Sequence, residues 1–292
     1  MQRFLTVLGV ALGLSLACGE PGAAPLDLAP LDGGLTDAAP LDAGVEDAGD
    51  DMSAPDASME DGGTGSAARI LFVGNSYTFY NDLPELYATT TGLAPAPEVD
   101  EVTGGGRRLV QHAADPGVAE RLAEGRDAVV LQEQSQIPGF PAGNSDRDAS
   151  IEAALELAGA AGDARVVLYL TWGRQRGDDR NPALFPDFEA MQDRLDEGYA
   201  AMRDAIEGAG REATIAPVGD AFRRVRARDM ALFDRLYASD GSHPSPLGSQ
   251  LAALVFARTL NGVDLASVPR PESVPAPDWD VLVAAATAAQ SP

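Results

Sequence analysis

Cysteine and histidine are both scarce in this chain of 292 residues. Cys18 is the single cysteine, so no disulfide can form within one chain. The two histidines, His112 and His243, are far apart in the sequence, and together with one cysteine they make no metal-ligand cluster. We therefore expect neither a metal nor another cofactor. Any reaction that needs a histidine base has only two candidates.

Basic residues are also few. The chain has 21 Lys and Arg against 45 Asp and Glu, which gives a net charge of −24. This balance argues against nucleic acid as a partner. The excess is greatest in residues 19–67, which hold twelve Asp or Glu, no Lys or Arg, and three copies of Ala-Pro-Leu-Asp. Such a segment cannot bury enough apolar surface to offset its ordering entropy, so we predict a disordered, self-repelling tether.

The N-terminal apolar run is too short to span a bilayer as a permanent helix. Residues 4–16 are apolar and lead into Cys18, which predicts a signal peptide over residues 1–18. The residues before the cysteine resemble a bacterial lipobox, although Ser15 stands where leucine is usual. We expect Cys18 to carry a lipid and to anchor the exported protein to a membrane of the bacterial cell envelope, periplasmic or at the cell surface. Secretion without a lipid is the alternative.

Apolar strand-like runs alternate with helical stretches over the rest of the chain. The strand-like runs are 70–73, 99–102, 128–131, 166–170 and 215–218, and the longer helical stretches are 149–162, 187–210 and 247–260. This alternation predicts an α/β fold, a three-layer sandwich with a five-stranded parallel sheet between two layers of helices. We place the domain at residues 68–265, with residues 266–292 as a C-terminal extension that packs on the domain or trails from it.

Two short motifs far apart in the chain carry the chemistry. Gly74-Asn75-Ser76 closes the first strand, which puts Ser76 at the carboxyl edge of the sheet, where open α/β sheets bind their ligands. His243 lies three residues after Asp240 in a loop-like segment. A serine hydroxyl needs a base to act as a nucleophile, and a carboxylate at this spacing can orient the imidazole. We assign Ser76, His243 and Asp240 as a catalytic triad and His112 as a structural residue.

With these motifs the chain resembles the SGNH (GDSL-like) superfamily of esterases, lipases and carbohydrate deacetylases. The resemblance implies a flavodoxin-like strand order and an oxyanion hole made of the nucleophile, a glycine after the second strand and an asparagine after the third. Ser76 matches the nucleophile, and Gly106 matches the glycine, with Gly105 as the next choice. The first block reads Gly-Asn-Ser in place of Gly-Asp-Ser, at a position that shapes the turn.

The third block departs further from the superfamily pattern. After the third strand the chain reads Gln132-Glu133-Gln134-Ser135, and Gln134 falls at the asparagine position. Its side chain still carries an amide donor. We expect Gln134, or failing it Gln132, to replace the asparagine. The alternative is that both glutamines contact only substrate or backbone.

The segment after the fourth strand offers two candidate substrate contacts. Trp172 could stack on a sugar ring, and Arg174 could bind an anionic group. A packed tryptophan beside a solvated arginine is the equally weighted alternative.

The resulting hypothesis is a serine esterase that removes an acyl group, expected to be acetyl, from a carbohydrate or small molecule. An O-acyltransferase with the same triad and a non-catalytic, glycan-binding surface lipoprotein are the alternatives.

Overall fold

The computed structural model describes residues 66–292, which form one α/β domain. The strands are β1 (Arg69–Gly74), β2 (Glu98–Thr103), β3 (Ala128–Leu131), β4 (Arg165–Tyr169) and β5 (Ala213–Ala216). The helices are α1 (Ser76–Phe79), α2 (Leu83–Thr90), α3 (Leu109–Ala113), α4 (Pro116–Ala123), α5 (Ser145–Ala160), α6 (Phe188–Gly208), α7 (Val218–Arg228), α8 (Met230–Arg235), α9 (Pro246–Asn261) and α10 (Ala276–Ala288). Short 3-10 turns occupy Tyr80–Asp82, Ile137–Gly139 and Leu265–Ser267.

The five strands make one parallel sheet in the order β2-β1-β3-β4-β5. This is the flavodoxin-like order, so the predicted fold class is confirmed. The connection reverses direction between β1 and β3, and the crevice at the carboxyl ends of these strands is the place where such sheets bind ligands. The loops after β1, β2, β3 and β4 therefore open toward one edge.

The predicted fifth strand, 215–218, is shifted by two residues from the observed β5, Ala213–Ala216. The strand stops before Pro217, because proline has no backbone N–H to continue the ladder. Val218 then begins α7. The predicted strand included Pro217, which precedes α7, and Val218, its first residue, because a short apolar run fits either type of structure.

Two hydrophobic cores cover the two faces of the sheet. Alternate residues of β1 point to opposite faces, with Ile70 and Phe72 in one core and Leu71 and Val73 in the other. The first core contains buried residues of α2, α7, α9 and α10, and the second contains those of α3, α4, α5 and α6. Both faces are thus covered by helices, as a parallel sheet requires.

The C-terminal residues pack on the domain. Helix α10 contacts α7 and α9 and places Trp279 and Leu282 in the first core. Asp278 at its N-terminal end accepts two hydrogen bonds from Arg235, at 2.7 and 2.8 Å. Beyond the helix, the Ser291 hydroxyl donates to the backbone oxygen of Ile215 at 3.0 Å.

The signal peptide, the lipobox cysteine Cys18 and all but the last two residues of the acidic tether lie outside the described residues. Within residues 66–292, none of the helices combines the length and the apolar character needed to cross a bilayer.

We predict that Gly198→Ala destabilises the domain and that Gly208→Ala in the same helix does not. A methyl group at 198 would lie 1.9 Å from the backbone oxygen of Pro138, so α6 would have to move away from the 3-10 turn beneath it. A methyl group at 208 meets nothing within 4 Å. Overpacking costs roughly 1 to 3 kcal/mol, and each kcal/mol lowers the Tm by about 2 to 4 °C at this size.

Thermal denaturation followed by circular dichroism checks this prediction. The Tm of Gly208→Ala should equal or slightly exceed that of the parent, because alanine is the better helix former. Equal Tm values for the two variants would contradict the close packing of α6 on the turn.

Candidate active site

Ser76 is the first residue of α1, immediately past the carboxyl end of β1. Asn75 caps this helix, because its Oδ1 accepts a hydrogen bond from the Tyr77 N–H at 3.1 Å. The Nδ2 of Asn75 donates to the backbone oxygen of Arg107 at 3.0 Å, which ties the turn to the loop after β2. The asparagine of the first motif therefore shapes the turn, as the sequence analysis expected.

Gln132 fixes the same turn from β3. Its Oε1 accepts hydrogen bonds from the Asn75 N–H at 2.8 Å and from the Thr78 hydroxyl at 3.0 Å. Its Nε2 donates to the backbone oxygen of Glu133 at 2.5 Å. A methyl group at Gly74 would lie 2.6 Å from the Gln132 Oε1, so this position must remain glycine.

The alternative role of Gln132 as an oxyanion donor is therefore wrong. Its side chain is fully buried, its Oε1 accepts from the turn that carries Ser76, and its Nε2 donates to the backbone oxygen of Glu133.

His112 also holds the turn that carries Ser76, through the backbone of Gly74. The imidazole is fully buried, and its Nε2–H donates to the backbone oxygen of Gly74 at 2.8 Å. Burial lowers the pKa of His112 to about 4, so the ring is neutral near pH 7. It is a structural residue, and His243 is the histidine that reaches Ser76.

Ser76, His243 and Asp240 form a continuous hydrogen-bonded chain. The Ser76 hydroxyl donates to His243 Nε2 at 2.9 Å, and His243 Nδ1–H donates to Asp240 Oδ2 at 2.5 Å. The second carboxylate oxygen of Asp240 accepts from the backbone N–H groups of Ser242 and His243, both at 2.9 Å. Partial burial acts to raise the pKa of Asp240, but these hydrogen bonds outweigh it and the pKa is lowered. The carboxylate is thus charged and sets the tautomer of the imidazole.

The loop that carries Asp240 and His243 is held by residues after β4 and by α1. Trp172 Nε1–H donates to the backbone oxygen of Ser242 at 3.0 Å, and the Gln175 N–H donates to that of Gly241 at 2.9 Å. The hydroxyl groups of Tyr77 and Ser242 share a hydrogen bond of 2.6 Å. Sequence reasoning missed Tyr77 and Gln175, since neither belongs to a motif and both act through long-range contacts.

Trp172 does not present a face to a substrate. Its ring is fully buried between the parallel rings of Tyr77, with centroids 4.8 Å apart, and Phe222, with centroids 4.4 Å apart. The prediction that Trp172 stacks on a sugar is wrong, because both faces of the indole are already covered. The packed tryptophan of the alternative interpretation is what the structure contains.

The expected oxyanion donors lie in the turns after β1, β2 and β3. Gly106 has a φ of +64°, a left-handed conformation that glycine adopts without strain. Within residues 66–292, the backbone N–H groups of Ser76, Gly105 and Gly106 have no protein acceptor. The Gln134 Oε1 accepts from the Gln136 N–H at 2.9 Å, which fixes the orientation of its amide.

Glu133 connects two of these turns. Its buried carboxylate accepts hydrogen bonds from the Leu109 N–H at 3.2 Å, at the start of α3, and from the Gln134 N–H at 2.5 Å. Burial raises the pKa of Glu133, and the hydrogen bonds from these N–H groups oppose that effect. Sequence reasoning assigned no role to Glu133 in the site. The signal that could have indicated one is a carboxylate two residues after an apolar strand.

Arg174 lies next to the triad loop and is fixed in place. Its Nη1 donates at 2.5 Å to the buried carboxylate of Asp178, which also accepts from Gln136 Nε2 at 2.7 Å. Burial raises the pKa of Tyr77, and the charge of Arg174 partly offsets this. The side chain is 18% exposed.

The triad faces solvent, since 25% of the His243 side chain and 46% of the Asp240 side chain are exposed. In the part of the chain that the structure describes, no three or more His, Cys, Asp or Glu side chains are grouped to hold a metal ion.

The three-layer sandwich and its flavodoxin-like sheet are the fold that the resemblance predicted. A DUF4886 family protein from Bacteroides uniformis has a TM-score of 0.58 and 17% identity, over 76% of this chain and 93% of that chain. A lipase/acylhydrolase from Enterococcus faecalis has a TM-score of 0.49 and 16% identity, over 70% and 100% of the two chains. An acetylxylan esterase from Geobacillus stearothermophilus has a TM-score of 0.49 and 15% identity, over 68% and 95%.

At 17% identity, the likeness to the DUF4886 family protein shows a shared fold alone. No protein-family model matches the sequence, and no curated protein does.

We predict that the buried His112 makes the domain less stable as the pH falls from about 6.5 toward 4. The unfolded chain takes up a proton at His112 near pH 6.5, whereas the folded chain does so only near pH 4, so acid favours unfolding over this window. In His112→Gln this part of the pH dependence should vanish, although the variant is less stable at pH 7.

Tm measurements of both proteins from pH 7 to 4 check the prediction. The Tm of the parent should fall by several degrees more than that of His112→Gln, because about 2 to 4 °C corresponds to each kcal/mol at this size. Parallel curves would contradict a buried, neutral His112.

Proposed function

We propose that the protein is a serine ester hydrolase with Ser76 as nucleophile, His243 as general base and Asp240 as the orienting carboxylate. The observation that supports this most directly is the hydrogen-bonded chain from Ser76 Oγ through His243 to Asp240. A serine whose hydroxyl already donates to a neutral imidazole nitrogen is prepared to lose its proton during attack.

In the first step Ser76 Oγ attacks the ester carbonyl carbon while His243 Nε2 takes the hydroxyl proton. The carbonyl π bond opens to an oxyanion, and collapse of this intermediate breaks the bond to the alcohol oxygen, which receives the proton from His243. We propose that the backbone N–H groups of Ser76 and Gly106 and the Gln134 amide face the oxyanion. One such donor is worth roughly 100- to 1,000-fold in rate.

In the second step water attacks the acyl-serine carbonyl while His243 takes its proton. Collapse of this intermediate breaks the bond to Ser76 Oγ, which receives the proton from His243, and releases the acid. The solvent exposure of His243 and Asp240 favours hydrolysis over acyl transfer, because a transferase must keep water away from its acyl-enzyme.

The proposed substrate is an acyl ester, expected to be acetyl, on a carbohydrate or small molecule. An exposed triad suits an ester that projects from a large or extended molecule. Arg174, held beside the triad loop by Asp178, is the side chain that we propose to contact an anionic or polar group of the substrate. The acetyl group follows from the resemblance to carbohydrate deacetylases.

We predict that Ser76→Ala lowers the hydrolysis of nitrophenyl acetate by at least about 1,000-fold and leaves the Tm unchanged within a few degrees. The matched control is Ser267→Ala, since Ser267 is exposed and its hydroxyl donates to the backbone oxygen of Asp264, outside both motifs. A fluorophosphonate probe should label the parent and Ser267→Ala but not Ser76→Ala.

Undiminished hydrolysis or labelling in Ser76→Ala would contradict the nucleophile. Folded parent protein that takes up no probe would favour the non-catalytic, glycan-binding alternative. Acetylated sugar formed from nitrophenyl acetate and an added sugar, in excess over free acetate, would favour the acyltransferase.

We further propose that Cys18 carries a lipid that anchors the exported protein to a membrane of the bacterial cell envelope, and that the acidic segment up to residue 67 separates the domain from that membrane. This rests on the apolar residues 4–16 and the lipobox-like sequence before Cys18.

We predict that Cys18→Ala abolishes incorporation of radiolabelled palmitate and shifts the expressed protein from the membrane pellet to the soluble fraction. Ser15→Leu, which restores the usual lipobox residue, is the matched control and should keep both properties. Equal palmitate incorporation by the parent and Cys18→Ala would contradict the anchor.

A further inference from the structure

Tyr80 is an aromatic residue beside the triad to which the mechanism above assigns no role. Its ring lies face to face on the His243 imidazole, with ring centroids 4.2 Å apart and an interplanar angle of 14°. Tyr77 contacts the same imidazole with an edge, at 5.5 Å and 67°. Asp240 hydrogen-bonds the Nδ1 edge of the ring, so the Tyr80 face is a separate contact.

The backbone turn after Tyr80 is fixed by an uncommon conformation and by side-chain hydrogen bonds. Asn81 and Asp82 both have positive φ values, +56° and +52°, in the left-handed region that non-glycine residues rarely adopt. Asn81 Nδ2 donates to the backbone oxygen of Pro244 at 3.1 Å and to the Ser249 hydroxyl at 2.9 Å. The turn after α1 is therefore tied to the residue that follows His243. An uncommon backbone conformation with such ties is typical of functional sites.

The contact matters most when the imidazole is charged. His243 is an imidazolium in each tetrahedral intermediate, and the face of an aromatic ring attracts a cation within about 6 Å. Asp240, at the Nδ1 edge of the ring, is 46% exposed. Water therefore screens its charge and weakens its attraction to the imidazolium. The Tyr80 face adds an attraction for the imidazolium without a second carboxylate.

We propose that Tyr80 is a positioning residue that acts through His243: its ring fixes the plane of the imidazole and stabilises the imidazolium by a cation–π contact. The kinetic part of this proposal rests on the proposed hydrolase function, whereas the contact itself does not. The other titratable groups around the ring are Asp240, which supplies the negative charge, and Tyr77, which stays neutral because burial raises its pKa.

The test compares Tyr80→Leu, which removes the aromatic face, with Tyr80→Phe, which keeps the face and removes only the hydroxyl. Phe79→Leu is the matched control, because Phe79 is the adjacent half-buried aromatic residue and contacts the ring of Tyr80 rather than that of His243. Circular dichroism and Tm establish that each variant is folded.

The first readout is the pKa of His243 by nuclear magnetic resonance of protein labelled at histidine, which needs no enzymatic activity. Only two histidines are present, and the His112→Gln variant assigns their signals. The pKa of His243 should fall by roughly 0.4 to 1.5 units in Tyr80→Leu. It should stay unchanged in Tyr80→Phe and Phe79→Leu.

The second readout is the pH profile of kcat/KM for nitrophenyl acetate, whose acidic limb reports the free enzyme's base. Tyr80→Leu should lose roughly 2- to 30-fold and shift this limb to lower pH, with Tyr80→Phe close to the parent. An unchanged His243 pKa in folded Tyr80→Leu would overturn the proposal, and equal damage in Tyr80→Phe would assign the effect to the hydroxyl. If the parent shows no hydrolysis, the hydrolase function fails while the resonance measurement still decides on Tyr80.

Discussion

The hydrogen bond between Ser76 Oγ and His243 Nε2 joins two residues 167 positions apart, and most of the polar contacts around the sheet edge serve to make it possible. The serine side is fixed by Asn75, Gln132 and His112, which hold the end of β1 and the first turn of α1. The histidine side is fixed by Trp172 and Gln175 from the loop after β4. Because each set is anchored to a different strand of one sheet, the rigidity of the sheet maintains the distance of 2.9 Å.

Burial distinguishes the supporting polar groups from the reacting ones. Gln132, Glu133 and His112 are fully buried and satisfy backbone groups of the turns after β1, β2 and β3, whereas His243 and Asp240 are partly open to solvent. A buried polar group is costly unless it is hydrogen-bonded, so the first set defines one arrangement of the turns. His243 and Asp240 are open to the water and the ester that the proposed reaction requires.

The layered fold, and the three residues Ser76, Asp240 and His243 that the structure brings together, could be predicted from the sequence because both depend on local patterns: apolar runs for the strands, and short motifs in a chain with two histidines. The roles of Gln132 and Trp172 could not be predicted, because they depend on which side chains meet across β1, β3 and β4. Gln132 and Gln134 are two residues apart, yet Gln132 holds the turn that carries Ser76 and Gln134 is half-buried in the loop that follows. Spacing alone does not separate them, and the stacking of Tyr80 on His243 has no sequence signature either.

We propose that Ser76, His243 and the turns after β2 and β3 act on one ester carbonyl. A crystal structure of the protein after reaction with a phosphonate ester tests this most directly, since the phosphonyl group mimics the tetrahedral intermediate. We expect phosphorus bonded to Ser76 Oγ and the phosphonyl oxygen within about 3.1 Å of the Ser76 and Gly106 N–H groups and the Gln134 amide. Phosphorus on another residue, or an oxygen directed away from all three donors, would contradict it.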